Sequence, residues 1–517
     1  MLKITRSIIA ILWLSPLCLA AQSAGDSKPC MPCEQLKSLQ LPDVTILSAE
    51  QKVNDTIKGQ ASWIPVVVVK VPYCKVMGRI SKEINFELLL PVTWNRRFLM
   101  SGGGGFVGYI QNGLRNYVNE GYATAGTDTG HSGNEITAEW GLDNMERQLN
   151  FGRLAIHRTA VVSKSIMRTF YCGGPDYSYF HGCSRGGGQA MIEAQFYPDD
   201  FNGIVAGAPA YAWPAIGAKF TKVNQANYPN PKELKPVLSN DNLKFVQQSV
   251  MKQCDALDGV KDNILNDPRE CKFDPATLPV CQDGKSGSGC ITKEQLAVLK
   301  AVYDPLVINK QEVYPGFPVG LEAEQGSWDV WIAGTSTYPD QNGMPSLHYF
   351  FGTNMFKYLV FNDASWDYSK YDFSNFFKDT QYASAYLDAT QTDYGEFKKL
   401  NGKMIMYHGW NDPALSAYAT IEHYQAALER DKDLPSNILL FMLPGVLHCF
   451  GGQGPDQVDW VKLIRDWVEH GQAPERILTS KLVNGKTTMT RPAFPYPKVS
   501  KYDGKGDPNS EKSFSAK

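Results

Sequence analysis

Ser184 is the residue whose surroundings point most directly to chemistry. It is the central residue of the pentapeptide Gly-Cys-Ser-Arg-Gly at 182–186, after a strand-like run at 177–180 and before a helical stretch. Glycines on both sides let the backbone adopt strained torsions and let neighbouring segments approach closely. The pattern predicts a sharp strand-to-helix turn that presents the Ser184 hydroxyl as a nucleophile.

A nucleophilic serine needs a base to take its proton and an acid to orient that base. In α/β-hydrolases, which carry this kind of turn, the chain order is serine, then Asp or Glu, then histidine, with the last two in loops after strands. Asp412 follows a strand-like run at 403–407, and His448 follows another at 437–443. The order and placement predict the catalytic triad Ser184, Asp412 and His448.

Each member of this triad has an alternative interpretation. Asp412 precedes a proline, and an Asp-Pro pair is often only a turn. His408 is a competing base because it also lies near a strand end. Ser132 is a competing serine, but Asn134 replaces the second glycine of the turn motif, which favours a simple loop. Ser184 itself would be a structural turn residue in an inactive hydrolase.

Stabilising the oxyanion requires two backbone N–H donors. The residue after the nucleophile, Arg185, supplies one in such folds, and the loop after an earlier strand supplies the other. A glycine run at 102–105 follows the strand-like residues 97–100, so Gly103 or Gly104 is the predicted second donor.

Cysteines flank both the predicted nucleophile and the predicted base. Cys183 precedes Ser184 and Cys449 follows His448, which predicts a disulfide across the active site. The other predicted pairs are Cys254 with Cys271, Cys281 with Cys290, and Cys33 with Cys74. Cys30 and Cys172 remain, and spacing alone does not decide their pairing; buried free thiols are the alternative.

The first 24 residues have the pattern of a secretory signal peptide. Lys3 and Arg6 precede an apolar run at 8–19 and small residues at 20–24, and the run is too short to span a membrane. The sequence therefore predicts a secreted or periplasmic protein. Lys+Arg 51 against Asp+Glu 53 gives a net charge of −2, which offers no electrostatic reason to expect nucleic acid or a membrane surface as partner.

Strand-like and helical segments alternate on both sides of a long irregular stretch. Strands are predicted at 66–71, 84–90, 97–100, 177–180 and 204–209, and helices at 151–170, 189–197 and 458–470. This alternation predicts an α/β fold with a mostly parallel sheet. The predicted boundaries are an α/β-hydrolase core at 25–209 and 401–500, a lid domain at 210–400 and a polar tail at 501–517.

With these motifs in view, the chain resembles the tannase and feruloyl esterase family. The resemblance rests on the serine motif at 182–187, the Asp412 loop, the His448-Cys449 pair, and the segments 127–131 and 197–209. It implies an α/β-hydrolase core with a large lid and hydrolysis of esters of phenolic or aromatic acids. Feruloyl, chlorogenoyl and galloyl esters are typical substrates, and mono(2-hydroxyethyl) terephthalate hydrolase belongs to the same family.

The resemblance also implies a structural Ca²⁺ site in the lid, at 254–264. Its implied ligands are the carboxylates of Asp255, Asp258 and Asp262 and the carbonyl groups of Val260 and Ile264. Hard oxygen ligands on a tight, glycine-containing loop suit Ca²⁺. The alternative is a solvated acidic turn.

The lid is rich in aromatic residues, and some of them could stack on an aromatic acyl ring, although most such residues are core. They are Trp328, Trp331, Tyr349, Phe350, Phe351, Phe356, Tyr358, Phe361 and Trp366. A substrate with a free carboxylate would favour an arginine clamp. Arg269 is the only arginine at 210–400, and Lys357 could substitute as a point charge.

The sequence therefore predicts an exported serine esterase that acts on small aromatic esters, with hydroxycinnamate esters first. Galloyl esters and terephthalate monoesters are alternative substrates. A protein of a different class, an inactive calcium-stabilised binding protein on a hydrolase scaffold, is the rival interpretation. A metallohydrolase is disfavoured because the sequence has no His-rich ligand cluster.

Overall fold

The computed structural model describes residues 27–59, 66–282, 287, 289–334 and 345–517. The predicted signal peptide lies outside these residues. Within them, no helix is both long enough and apolar enough to cross a membrane.

Most of the strands belong to one sheet, and the rest form two-stranded pairs. In chain order they are β1 (Val44–Lys52), β2 (Asp55–Ile57), β3 (Val67–Val69), β4 (Tyr73–Ile80), β5 (Ile84–Pro91), β6 (Arg97–Ser101), β7 (Ala123–Thr127), β8 (Tyr177–Cys183), β9 (Gly203–Gly207), β10 (Leu306–Ile308), β11 (Gln311–Tyr314), β12 (Lys403–Gly409), β13 (Ile438–Leu443), β14 (Ile477–Val483), β15 (Lys486–Ala493), β16 (Ser500–Tyr502) and β17 (Phe514–Ala516).

The nine-stranded sheet has the order β1-β4-β5-β7-β6-β8-β9-β12-β13. Its first strands pair antiparallel, from β1 through β4 and β5 to β7. From β7 onward every pair is parallel. Because the carboxyl ends of parallel strands meet at one edge, the loops after β6, β8, β12 and β13 all open on the same side.

The helices lie on both faces of this sheet and in a large insertion between β9 and β12. They are α1 (Met145–Leu149), α2 (Ala155–Tyr171), α3 (Arg185–Phe196), α4 (Trp213–Asn227), α5 (Asn240–Cys254), α6 (Lys293–Tyr303), α7 (Trp328–Trp331), α8 (Leu347–Asn354), α9 (Phe376–Leu387), α10 (Gly395–Lys399), α11 (Ala417–Arg430) and α12 (Trp460–His470).

The parallel strands are apolar on both sides, as expected for a sheet covered by helices. In β6, Phe98 and Met100 pack with residues of α2 and α3, whereas Leu99 packs with residues of α12 on the opposite face. Alternation of side chains along each strand therefore feeds two separate cores.

The sequence located several strands of the nine-stranded sheet. The predicted strands at 84–90, 97–100, 177–180, 403–407 and 437–443 correspond to β5, β6, β8, β12 and β13. The predicted strand at 66–71 corresponds to β3, which pairs with β2 in a separate two-stranded sheet rather than in the main sheet. The predicted helix at 151–170 starts later, as α2, after a π-helical turn at Asn150–Leu154.

The insertion from α4 to α10 packs on the core through a shared apolar cluster. Residues of α4, α5, α6 and α8 contribute to it, together with Phe106 from the loop after β6 and Leu447 from the loop after β13. We call this insertion the lid. Its helices are anchored on the loops that follow the parallel strands.

Five disulfides join the ten cysteines of the described residues, and all of the predicted pairs are confirmed. They are Cys33–Cys74, Cys183–Cys449, Cys254–Cys271, Cys281–Cys290 and the pair that spacing left open, Cys30–Cys172.

The polar C-terminal segment folds back as the two-stranded pair of β16 and β17. The guanidinium of Arg491 in β15 lies 4.6 Å from the Phe514 ring. The side chain of Asn266, in the lid, donates a hydrogen bond to the carbonyl of Ser500. The C-terminal strands therefore contact the lid near the segment 254–266.

A buried ionic cluster joins α2 and α3 beneath the sheet. His157 Nδ1 lies 2.6 Å from Asp200 Oδ2, and Lys164 Nζ contacts the carbonyl of Asp200. Glu193 is fully buried. One of its carboxylate oxygens lies within 4.8 Å of a ring nitrogen of His157 and of a carboxylate oxygen of Asp200. Because Lys164 already compensates charge there, we interpret the cluster as structural rather than as a metal site.

This cluster predicts a pH-dependent contribution to stability. Burial, and then the charge of Asp200, raise the pKa of Glu193 well above its ordinary value of 4.5. The folded chain keeps this proton at pH values at which the unfolded chain has lost it. The contribution is therefore full below the ordinary pKa and is lost as the pH rises towards the raised pKa.

We expect Glu193→Gln to gain stability over the wild type as the pH rises from about 5 to about 8, by up to roughly 1.4 kcal/mol per pH unit. Urea unfolding at several pH values measures this difference. Glu429→Gln, at an exposed position of α11, should follow the wild type throughout. A difference between Glu193→Gln and wild type that does not change with pH would contradict the assignment.

Candidate active site

Ser184 occupies a strained turn between β8 and α3. Its backbone has φ 63° and ψ −122°, a conformation that L-residues rarely adopt and that costs on the order of 1–3 kcal/mol. Its N–H donates to the carbonyl of Gly207 at 3.0 Å, and its own carbonyl accepts from Gly188 and Ala210 at 3.0 and 2.9 Å. These bonds hold the turn that the sequence predicted.

The glycines around Ser184 are required by close backbone approach. A Cβ built on Gly182 would lie 2.5 Å from the Gly186 carbonyl carbon, and one on Gly187 would lie 2.1 Å from the Gly207 oxygen. Real Cβ atoms do not approach so closely, so the strand, the helix and β9 can pack here only without side chains.

His448 and Asp412 complete a hydrogen-bonded chain with Ser184. His448 Nε2 lies 2.8 Å from Ser184 Oγ, and His448 Nδ1 lies 2.7 Å from Asp412 Oδ2. The structure thus brings together the three residues predicted as a triad, from loops after β8, β12 and β13. In this arrangement Nδ1 donates to the carboxylate and Nε2 accepts from the serine hydroxyl.

The carboxylate of Asp412 is fully buried and saturated with donors. Its Oδ1 accepts from the N–H groups of Ala414 and Leu415 at 2.8 and 2.9 Å. Burial alone would raise its pKa, but the attraction of His448 and hydrogen bonds from His408 and His448 hold the pKa well below its usual range. Asp412 therefore remains ionised at any ordinary pH.

His408, the competing base, does not reach the serine. Its Nε2 lies 3.1 Å from Asp412 Oδ2 and 3.1 Å from the Leu415 carbonyl, and its Nδ1 lies 2.7 Å from Thr420 Oγ1. These contacts hold the His408 ring against the Asp412 carboxylate and the Thr420 hydroxyl. His408 therefore holds the acid, a role that the sequence did not show.

The competing serine, Ser132, is exposed in a loop. The neighbouring His131 is buried; its Nε2 lies 2.8 Å from the Phe106 carbonyl oxygen, and its ring stacks on Trp140 at 3.7 Å. Burial lowers the pKa of His131 to about 4. This histidine is a packing residue of the loop after β7.

The disulfide Cys183–Cys449 joins the residues beside the nucleophile and the base. The Cα atoms of the two cysteines are 6.0 Å apart, across 266 residues of chain. On the His448 side the chain turns sharply, with φ 66° at Cys449. The bond fixes the separation of the loops that carry Ser184 and His448.

Side chains of the core already accept from the two glycine amides predicted as oxyanion donors. The N–H of Gly103 donates to Gln189 Oε1 at 3.0 Å, and that of Gly104 donates to Gln111 Oε1 at 2.6 Å, so both donors are already engaged. Gly105 instead lines the cavity beside Ser184, with φ 54°. The glycine run alone could not show which amide would stay free.

A cavity with about 430 Å³ of empty space opens at Ser184 and His448. Its walls come from the core loops, from α4, and from α7 and α8 of the lid, and are mostly apolar. The lining residues are Gly105, Ser184, Arg185, Ala210, Trp213, Ile216, Gly217, Phe220, Trp331, Phe351, Met355, Ala414, Leu415 and His448.

Two of the lid aromatics singled out in the sequence, Trp331 and Phe351, line this cavity. Their rings stack 5.9 Å apart, and Trp331 meets the His448 ring edge-on at 5.1 Å. Trp213 and Phe220 of α4 also line it and were not anticipated, because their helix carries no motif. Among the described lining residues the only cationic side chain is that of Arg185, not Arg269 or Lys357.

The predicted calcium loop follows the last residue of α5, Cys254, and lies within the segment that the Cys254–Cys271 disulfide closes. Asp258 Oδ1 accepts from the Val260 N–H at 3.0 Å, and Asp262 Oδ1 accepts from the Ile264 N–H at 3.1 Å. Asp255 Oδ1 accepts from a neighbouring backbone N–H at 2.7 Å. Asp258 also accepts from the Asn266 N–H through Oδ2, at 3.1 Å, so both of its oxygens are bonded to the loop.

The loop has the donor chemistry that Ca²⁺ requires. Burial, with the nearby charge of Asp262, raises the pKa of Asp258 to about 6. Ile264 is fully buried, and within the described residues no hydrogen bond reaches its carbonyl oxygen or that of Val260. Arg491 Nη2, 2.7 Å from Asp262 Oδ2, supplies one compensating charge.

Comparison with known proteins agrees with this geometry. Residues 66–517 match the family model described as tannase and feruloyl esterase. The chain is 30% identical to feruloyl esterase B of Aspergillus niger, covering 86% of this chain and 87% of that protein. It is 30% identical to the mono(2-hydroxyethyl) terephthalate hydrolase of Piscinibacter sakaiensis, covering 86% and 84%.

The fold agrees as well. The crystal structure of feruloyl esterase B from Aspergillus oryzae matches with a TM-score of 0.83 at 25% identity, over 94% of this chain and 99% of that one. With this match the predicted α/β-hydrolase fold is confirmed. The chain belongs to the tannase and feruloyl esterase family and is a carboxylic ester hydrolase.

Proposed function

We propose that the protein is an exported serine esterase that hydrolyses esters of aromatic acids through an acyl-enzyme. The observation that carries this proposal is the unbroken chain Ser184–His448–Asp412 at the mouth of an aromatic cavity. The rival interpretation, an inactive binding protein, would not require a serine in a strained backbone aligned with a histidine.

In the first half-reaction, His448 Nε2 takes the Ser184 proton as Oγ attacks the ester carbonyl carbon. The tetrahedral intermediate collapses when the carbon–oxygen bond to the alcohol breaks, and His448 returns the proton to the leaving alkoxide. In the second half-reaction His448 takes a proton from water, hydroxide attacks the acyl-enzyme, and the acid leaves while Ser184 regains its proton.

The N–H groups of Arg185 and Gly105 are the donors we assign to the oxyanion. Arg185 is the first residue of α3, where an N–H has no partner within the helix, and Gly105 lines the cavity beside the serine. Preorganised donors of this kind lower the barrier by stabilising charge that develops only in the transition state.

Asp412 stabilises the imidazolium that forms on His448, and His408 keeps Asp412 in place. The buried carboxylate remains ionised throughout the cycle because four N–H donors surround it. A fixed negative charge in an apolar setting attracts His448 strongly when the ring gains its proton.

The aromatic cavity favours a planar acyl group. Trp331, Phe351 and Trp213 offer ring faces and edges to it, and aromatic pairs contribute beyond the area they bury. Two relatives are feruloyl esterase B and mono(2-hydroxyethyl) terephthalate hydrolase. We therefore propose hydroxycinnamate esters as substrates, with galloyl esters and terephthalate monoesters as the alternatives.

Export and calcium binding complete the proposal. Five disulfides favour an oxidising compartment, which supports the signal peptide proposed for residues 1–24. Asp255, Asp258 and Asp262, with the carbonyl groups of Val260 and Ile264, would hold Ca²⁺. The ion would relieve the repulsion among these acids and brace the lid against the C-terminal strands.

Ser184→Ala should lower kcat/KM by about 10³-fold or more on every substrate, because it removes the hydroxyl that meets His448. The measurement is hydrolysis of methyl ferulate, chlorogenate, methyl gallate and a terephthalate monoester, with a p-nitrophenyl ester burst to detect the acyl-enzyme. Ser132→Ala, at an exposed serine, should retain wild-type rates. Comparable rates for both variants would exclude Ser184 as the nucleophile.

Removing the active-site disulfide should lower kcat by roughly tenfold or more, because small misplacements of reacting groups are costly. The test is Cys183→Ala/Cys449→Ala, assayed at a temperature at which circular dichroism shows it folded. Cys281→Ala/Cys290→Ala, which removes a bond inside the lid, is the matched control. Full activity in the first double variant would show that the bond does not position the triad.

Calcium should raise the midpoint of thermal unfolding, and a chelator should reverse the effect, because the ion binds only the folded loop. We expect Asp258→Asn to lose most of this shift. Asp241→Asn, at an exposed aspartate of α5, should retain it. A chelator that leaves the midpoint unchanged in the wild-type protein would refute the calcium site.

A further inference from the structure

Three side-chain nitrogens of the cavity residues Arg185 and Trp213 have no hydrogen-bond acceptor among the described residues. Within the part of the chain that the structure describes, Nε and Nη1 of Arg185 and Nε1 of Trp213 are buried and make no hydrogen bond. Both residues line the cavity that contains Ser184. Buried donors are nearly always paired with protein groups, water or a ligand, and these three nitrogens belong to residues that line the cavity of the nucleophile.

The position of the Arg185 guanidinium is fixed. Its Nη2 donates to the carbonyl of Phe151 and, at 3.1 Å, to that of Gly152. The guanidinium carbon lies 4.4 Å from the Phe151 ring centre and 5.3 Å from that of Trp213. One edge of the planar group is therefore held by the protein, while the remaining N–H groups are left without partners.

No carboxylate among the described residues forms an ion pair with Arg185 within 4.0 Å. Asp388 attracts it from further away. That carboxyl accepts a hydrogen bond from the backbone N–H of Trp213, and burial raises its pKa to about 7. Burial also lowers the pKa of Arg185 to about 9. The side chain is 1% exposed, so two carbonyl groups and two aromatic rings, rather than water or a carboxylate, compensate its charge.

The chemistry of these groups limits what could pair with them. Guanidinium and indole nitrogens donate hydrogen bonds and accept none. An acyl ring without a polar substituent would leave the three nitrogens unpaired. A ring with an oxygen substituent would accept hydrogen bonds from them, and an anionic oxygen would also compensate the charge of Arg185.

We propose that Arg185 and Trp213 form a donor-only subsite that selects acyl rings bearing an oxygen acceptor away from the ester. The inference rests on the proposed function, since it places the acyl group of the substrate in this cavity. Phenol, methoxy and carboxylate substituents share the required chemistry, and the substrates below distinguish them.

The test compares kcat/KM among matched methyl esters. The first set, the methyl esters of cinnamate, 4-methoxycinnamate and 4-hydroxycinnamate, differs only in the substituent at ring position 4. The second set, monomethyl terephthalate and methyl 4-methylbenzoate, compares a carboxylate with a methyl group at that position. We expect the wild type to prefer each oxygenated ester by roughly tenfold or more, because unpaired buried donors penalise the analogue that lacks the acceptor. The methoxy ester should keep the advantage, since the subsite needs no proton from the ligand.

Arg185→Met should reduce these preferences to about twofold or less, mainly through KM, while Arg185→Lys should restore part of them. Arg153→Met is the matched control, because Arg153 bonds the carbonyl groups of Ala385 and Asp388 and does not line the cavity; it should keep the preferences. If Arg185→Met does not fold, Trp213→Phe, which removes one donor, should still weaken the preference.

Binding of the free product acids to Ser184→Ala, followed by calorimetry, tests the subsite without catalysis. Oxygenated acids should bind about tenfold more tightly than cinnamic or 4-methylbenzoic acid, and Arg185→Met in this background should remove the difference. A wild type that turns over all five esters with equal kcat/KM would overturn the subsite and leave the esterase intact. Retained hydrolysis by Ser184→Ala would overturn the proposed mechanism instead.

Discussion

Ser184 can meet His448 only because its backbone is held in a conformation that would relax if left free. The strain is offset locally: the Gly207 carbonyl receives the Ser184 N–H, and two later N–H groups, of Gly188 and Ala210, bind its carbonyl. The glycines around the turn remove the side chains that would otherwise prevent β8, α3 and β9 from approaching. The Cys183–Cys449 bond then fixes the second partner, because it ties the histidine loop to the strained residue itself. Everything else at the site is arranged around this pair of loops.

The second constraint is the burial of the charged carboxylate of Asp412, and the lid helps to hold the loop that carries this residue. The carboxylate of Asp412 is stable without water because every oxygen accepts from N–H donors. The loop that carries it is held by the lid as well, since His348 of α8 lies with Nε2 2.9 Å from the Pro413 carbonyl. Burial lowers the pKa of His348 to about 3, so this ring remains a neutral donor. The lid therefore supports the acid as well as covering the cavity.

A residue's role could be predicted from the sequence when its neighbours in the chain determine that role, and not when contacts from distant segments do. The turn at Ser184 and the strands with long apolar runs leave a clear pattern, and paired cysteines beside Ser184 and His448 linked distant parts of the chain. Strand β7, Ala-Thr-Ala-Gly-Thr, leaves none, because its small residues suit a position buried on both faces rather than any intrinsic strand preference. The sequence also left no sign that Gln111 and Gln189, from elsewhere in the fold, accept from the amides of Gly104 and Gly103. Which N–H remains free is a tertiary property.

Arg185 shows why the residue after the nucleophile is difficult to interpret from sequence. In the functions proposed above, its N–H would donate to the oxyanion, and its guanidinium would donate to an oxygen substituent on the acyl ring. Both act in a region of low dielectric, where an uncompensated positive charge is felt over several ångströms. A neutral oxygen acceptor on the ring would leave that charge to favour the oxyanion, whereas a carboxylate would neutralise it. An anionic substrate would then gain more in binding than in the rate of acyl transfer, because only interactions stronger in the transition state raise kcat.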